Sequence, residues 1–161
     1  MQDIVQQFVE RMGLMMEADG LPRSAGRIFG FLLLAEHPFS LDELADELQV
    51  SKASVSTNAR LLEQLGILER ISSPGDRRDF YRMRQDAWER VMEVGRRRWE
   101  AMRVVLSENA ESLPDEMQDA KHRLREAAEF HGFLLGEAGT MIERWRAHKR
   151  AALAASDAAA D

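Results

Sequence analysis

The stretch FSLDELADELQVSKASVSTNARLLEQLGILERISSPGDRRDFYRMR, from Phe39 to Arg84, constrains the fold more than any other part of the chain. Ser40 followed by Glu43 is a capping box, in which each side chain bonds the other's free backbone N–H and so starts a helix. Leu41, Leu44, Ala45 and Leu48 give that helix one apolar face. A short turn at Gln49 and Val50 separates it from Ser51, the N-cap of a second helix that Gly66 ends at a C-cap position. Two short helices joined by so tight a turn predict a helix-turn-helix. Beyond Gly66 the pattern becomes strand-like. ILERIS and DFYRMR flank SPG, so the chain is expected to fold back as a β-hairpin, and a hairpin in this place is a wing.

The second helix can be phased at about 100° per residue. Val55, Ala59, Leu62 and Leu65 then share an inner side, and Ala53, Ser56, Thr57, Arg60 and Gln64 an outer one. Small hydroxyl and methyl side chains let a helix sit deep in a DNA major groove, where hydroxyls bond base edges or phosphates and methyls meet thymine. Arg60 is placed to reach a guanine edge or a phosphate. A solvated face is the commoner reading of any polar stripe taken alone. What shifts the balance is the wing, whose tip carries Arg77 and Arg78 beside the helix-turn-helix, suited to the negative potential of an adjacent minor groove. Asn58 phases toward the core edge, where the expectation is a hydrogen bond to a neighbouring backbone.

Charge is distributed to match. The 161 residues carry a net charge of -6. Between Ser51 and Arg84, seven basic residues meet four acidic ones, a net +3, which leaves -9 for the rest of the chain. One basic module thus sits in an acidic body. With no cysteine, there is no thiol chemistry, disulfide or cysteine zinc site. The histidines His37, His122, His131 and His148 lack metal-ligand spacing, and no phosphate loop or nucleophile elbow is present. The reading therefore calls for no cofactor, no metal and no enzyme activity. No apolar run is long enough to span a bilayer and no signal-like segment opens the chain, so the expected location is cytoplasmic, without a membrane partner.

Around this module the pattern is helical. Residues 3 to 18 place Ile4, Val5, Phe8, Val9, Met12 and Met16 at helical spacing. A helix of roughly Arg23 to Glu36 holds IFGFLLLA, apolar around most of its circumference, with Gly26 and Gly30 as close-approach positions. Residues 86 to 111 form a further helix with Trp88, Val91, Met92, Trp99, Met102 and Leu106, and Pro114 marks a break. From Asp115 to Arg150 a seam of Met117, Ala120, Leu124, Ala127, His131, Leu134, Ala138, Met141, Trp145 and His148 recurs at alternating spacings of three and four, which calls for a partner helix. The fold class read from this is mainly α: a winged helix-turn-helix with a two-stranded β wing and long N- and C-terminal dimerisation helices. The expected divisions are 1–20, an N-terminal dimerisation helix; 21–84, the winged domain; 85–150, a helical dimerisation region; and 151–161, a disordered tail.

The order of motifs resembles the MarR superfamily of winged-helix regulators, and within it the GbsR-like branch. The resemblance is carried by DGLPRSAGRIFGFLLL, LDELADELQVSKASVSTNARLLEQLGILER and PGDRRDFYR. It implies a homodimeric repressor on a pseudo-palindromic double-stranded DNA operator, released by a small-molecule effector. By position it puts Lys52, Ala53, Ser54, Ser56, Thr57 and Arg60 on the recognition helix, with Arg77 and Arg78 at the wing tip. Phasing agrees, apart from Ser54, which lies nearer the flank, and adds Gln64. The terminal helices would supply the dimer interface, through Phe8, Met12, Leu124, His131, Leu134, Met141 and Trp145. Some GbsR-like proteins sense quaternary ammonium compounds, which would ask Trp88, Trp99 and Trp145 for an aromatic cage; packing is the commoner role of tryptophans at such spacing. Arg96, Arg97 and Arg98 are either DNA-backbone contacts or a solvated face paired with Glu93 and Glu100. Two alternatives compete with the DNA reading. A winged module that docks protein through the same helix would be indifferent to salt, and an enzyme would need a catalytic domain for which the chain has no room.

Overall fold

The computed structural model describes residues 2–72 and 75–160, with side chains from 3 to 155. The chain divides into two compact units at Val91 and Met92. The first contains α1 (Gln2–Ala18), α2 (Arg23–Leu34), β1 (Phe39–Ser40), α3 (Leu41–Leu48), α4 (Lys52–Gln64), β2 (Leu68–Ser72) and β3 (Asp79–Met83). α5 (Ala87–Ser112) crosses the division, and a 3₁₀ turn at Asp115–Met117 leads into α6 (Gln118–Ala160).

α2 is the centre of the first unit. Ala25, Ile28 and Leu32 are sealed from solvent, as the all-round apolar IFGFLLLA pattern requires. α1 crosses it closely. A Cβ at Gly26 would fall 2.8 Å from the Gly13 Cα and 2.9 Å from the Met12 carbonyl carbon, so only glycine lets the two backbones meet there. Ion pairs hold the crossing: Glu10 lies 2.8 Å from Arg23 and 2.7 Å from Arg27 Nε. Arg27 also donates to the Leu48 carbonyl at 2.8 Å, tying α2 to the end of α3. The helix stops at Leu34, two residues short of the sequence expectation, because Pro38 disfavours helical backbone before it.

α3 begins with the expected capping box. Ser40 N–H donates to Glu43 at 2.8 Å and Glu43 N–H to the Ser40 hydroxyl at 3.3 Å. The tight turn is made by Gln49, in the left-handed region at φ 51°, and Val50 N–H then bonds the Ala45 carbonyl. Ser51 caps α4 by accepting from Ser54 N–H at 3.2 Å. The two-stranded wing forms as expected, and a short third strand joins it. The sheet has three antiparallel strands in the order β1-β3-β2, with Leu68 opposite Met83, Arg70 opposite Tyr81 and Ser72 opposite Asp79. Phe39 and Ser40 add to β3 opposite Tyr81 and Phe80. Two residues are too few to show a period, which is why the third strand is silent in the sequence. Ser73 and Pro74 of the expected hairpin turn lie outside the described residues.

In the second unit α5 and α6 run antiparallel, with Arg146 donating to Glu93 at 2.8 Å. Ala110 of α5 and Ala128, Ala138 and Ile142 of α6 are buried. The buried line of α6 is thus offset from most of the seam expected from its spacing. Of that seam, Leu124, His131 and Leu134 are half-buried and Met141 and Trp145 exposed. α6 continues to Ala160, through an alanine-rich run without glycine or proline that has high helix propensity.

Two outcomes follow for stability. Gly26→Ala forces α1 off α2 and is expected to cost about 1–3 kcal/mol, read as a lower Tm in thermal unfolding. The hydrogen bonds from Ser40 hold the Glu43 carboxyl below its ordinary range. A depressed pKa stabilises the fold above the unfolded carboxylate range, and that contribution is lost as pH falls through the folded value. The stability gap between wild type and Glu43→Gln should therefore be full at neutral pH and close on acidification, which denaturant titrations at stepped pH measure.

Candidate nucleic-acid interface

α4 is anchored on one side and open on the other. Val55, Ala59 and Leu62 are fully buried, while Lys52, Ala53, Thr57, Arg60 and Gln64 are exposed and Ser54 and Ser56 half-buried. The outer face expected from the spacing is thus the solvent face. Arg60 donates to the Ser56 hydroxyl one turn earlier at 3.0 Å, which lays its guanidinium along the open side. Lys52, at the helix start, is 2.7 Å from Asp42 of α3. Asn58 is buried, as expected at the core edge, and its amide donates to the Ser54 carbonyl at 2.8 Å.

Arg77 and Arg78 are both exposed between β2 and β3, and Arg78 is held. Its guanidinium forks onto Asp76 at 2.7 and 3.0 Å, approaches Glu43 at 3.6 Å and lies over the Phe80 ring at 5.0 Å. The hydrogen bonds from Arg78 in turn hold the Asp76 carboxyl below its ordinary range. Glu43 thereby serves two elements, capping α3 and reaching the wing. The capping role is legible in the sequence; the link to Arg78 joins residues 35 positions apart and has no local signal. Further down the hairpin Arg70 pairs with Asp79 at 3.2 Å and Arg82 with Glu69 at 2.6 Å, and Arg84 pairs with Asp86 at 2.9 Å. Burial pushes the Tyr81 hydroxyl up from its ordinary pKa, as befits the base of the wing.

Much of the basic charge between Ser51 and Arg84 is therefore matched by nearby carboxylates. Exposed pairs of this kind contribute little to stability, so a phosphate can displace the carboxylate at little cost. The face combines short polar side chains along one helix with guanidiniums at its middle and beside it, and it carries no nucleophile–base pair. Among the described residues no group of three or more metal-ligating carboxylates and histidines assembles. Among the described residues no helix is long and apolar enough to cross a membrane.

Trp88 packs edge-on against Phe29 at 6.2 Å, Trp145 stacks on His148 at 5.8 Å, and Trp99 lies against Gly95. Among the described residues no ring contact joins Trp99 to Trp145. His131 Nδ1 lies 2.7 Å from the Ala127 carbonyl, the bond of a satisfied helical histidine. Arg96, Arg97 and Arg98 are exposed on α5. Of the residues expected at a dimer contact, Phe8 is half-buried and Met12 packs its Cβ toward Gly30 within the same chain.

The comparisons agree with this geometry. The sequence pattern of the MarR family matches residues 19–79, and that of MmpR5-like MarR family transcriptional regulators matches residues 86–148. The HTH-type transcriptional regulator MmpR5 of Mycobacterium tuberculosis is 34% identical over 131 residues, covering 81% of this chain and 79% of the relative. The HTH-type transcriptional repressor GbsR of Bacillus subtilis is 30% identical over 49% of each chain, so the likeness to GbsR is the narrower of the two. A crystal structure of a transcriptional regulator superposes with a TM-score of 0.82 at 31% identity, covering 88% of this chain and 97% of the other. On the strength of the match to MmpR5 over four fifths of both chains, together with the winged fold, the chain belongs to the MarR family of winged-helix transcriptional regulators.

Proposed function

We propose that the chain acts as a homodimeric repressor that binds a pseudo-palindromic operator through α4 and the wing and is released by a small-molecule effector. The observation that carries this is the two-sidedness of α4: three fully buried apolar residues lock the helix in place, and the opposite face of Ala53, Ser56, Thr57, Arg60 and Gln64 is left for the major groove. Lys52 and Ser54 stand at its N-terminal turn, where phosphate is favoured by the helix dipole. Arg77 and Arg78 serve the adjacent minor groove. The name of the Bacillus relative favours repression over activation.

Dimerisation is supported by apolar surface that one chain leaves uncovered. Met141 is 53% exposed, Trp145 38% and Phe133 63%. Leu134 falls between Met141 and Trp145 around α6, and Leu124 and His131, together with Phe8 and Met12 of α1, are assigned to the same contact. Two recognition helices about 34 Å apart would then reach successive major grooves on one face of the duplex. An effector acts if it binds two dimer spacings with different affinity.

Selection from random duplexes at near-physiological salt tests the reading. The expected product is an inverted repeat with half-sites about one helical turn apart; recovery of no motif, with binding indifferent to salt, moves the α4 face to protein docking. On the recovered operator Arg60→Ala is expected to cost about 1–3 kcal/mol, and Arg77→Ala to lower the slope of log K against log salt by about one. For the dimer, Met141→Glu combined with Trp145→Glu should halve the mass seen in sedimentation and weaken operator binding. An unchanged mass would remove the α6 seam from the interface.

A further inference from the structure

Asn58 breaks the pattern of its helix. It is 7% exposed, on the side of α4 where Val55, Ala59 and Leu62 are apolar, and its Oδ1 is buried without a hydrogen-bond partner. A leucine of similar size would fill that place without an orphaned acceptor, and such an acceptor costs folding free energy. Polar groups kept in a core against stability concentrate at functional positions.

The other end of the amide shows what it does. Asn58 Nδ2 donates to the Ser54 carbonyl at 2.8 Å and lies 3.4 Å from the Ser54 hydroxyl oxygen. Ser54 is half-buried in the first turn of α4, and its own backbone N–H is held by the Ser51 cap. A serine hydroxyl has one proton to donate and two lone pairs to accept with. When the Asn58 amide occupies a lone pair, the hydroxyl's rotation is restricted and its proton is left for an acceptor outside the protein. On DNA those acceptors are phosphate oxygens and, in the major groove, purine N7, guanine O6 and thymine O4.

We propose that Asn58 is a positioning residue of the recognition helix, which turns the Ser54 hydroxyl into an oriented hydrogen-bond donor toward the operator. The inference rests on the DNA-binding reading. Asn58 itself touches no DNA. It sets the donor sense of a residue that does, and the orphaned Oδ1 is the stability cost of keeping an amide there.

The test is a double-mutant cycle on the selected operator with Asn58→Leu, Ser54→Ala and the combined variant, read by thermal unfolding and by affinity for the operator. Asn58→Leu is expected to melt at or above the wild-type temperature and yet bind the operator about tenfold more weakly, with unchanged affinity for unrelated duplexes. In the Ser54→Ala background the same substitution should cost nothing further, since contacting residues couple. Asn58→Ala runs the same cycle should the leucine variant fail to fold. Independent, additive losses, or an operator loss that only follows a loss of stability, overturn the proposal while leaving the repressor reading intact. Failure of the wild-type chain to select any operator would instead overturn the reading on which it rests.

Discussion

The burial of Val55, Ala59 and Leu62 is the constraint on which the rest of the interface depends. A helix that reads DNA must expose short polar side chains, and such a helix has little tendency to stay folded by itself. The three apolar residues supply what its outer face cannot, by docking α4 against α2 and the base of the sheet. α2 is able to receive it because its own circumference is apolar and because Gly26 admits α1 on another side. The capping box at Ser40, the left-handed Gln49 and the Ser51 cap then set where α4 begins.

Electrostatics complete the arrangement. The chain is acidic overall, and its basic stretch is held in register by carboxylates on neighbouring elements: Asp42 on Lys52, Asp76 and Glu43 on Arg78, Glu69 on Arg82. These pairs keep long side chains from collapsing onto the surface. Being exposed, they are weak enough for a polyanion to replace them. An acidic body limits non-specific attraction to nucleic acid, since phosphate neutralisation alone supplies most of it.

Local chemistry was readable in advance. Capping residues, the tight turn, the C-cap glycine and the inner and outer sides of α4 all follow from residues within four positions of one another, and all are present in the fold. The glycine pair in α2 was also readable, since glycine within an apolar helix has few other uses. What escaped the sequence was non-local or too short to have a period. β1 is two residues long and is a strand only because β3 lies beside it. The Arg27 link to Leu48 and the Glu43 link to Arg78 depend on elements meeting in space.

The sequence by itself determined the helix-turn-helix, its caps and which face of α4 turns inward, because periodicity and capping are properties of neighbouring residues. Only the tertiary structure decided that β1 joins the hairpin in a three-stranded sheet, that Glu43 reaches Arg78, and that Arg27 ties α2 to the Leu48 carbonyl. Those outcomes depend on which surfaces are brought within hydrogen-bonding range, and that range is set by packing between distant segments.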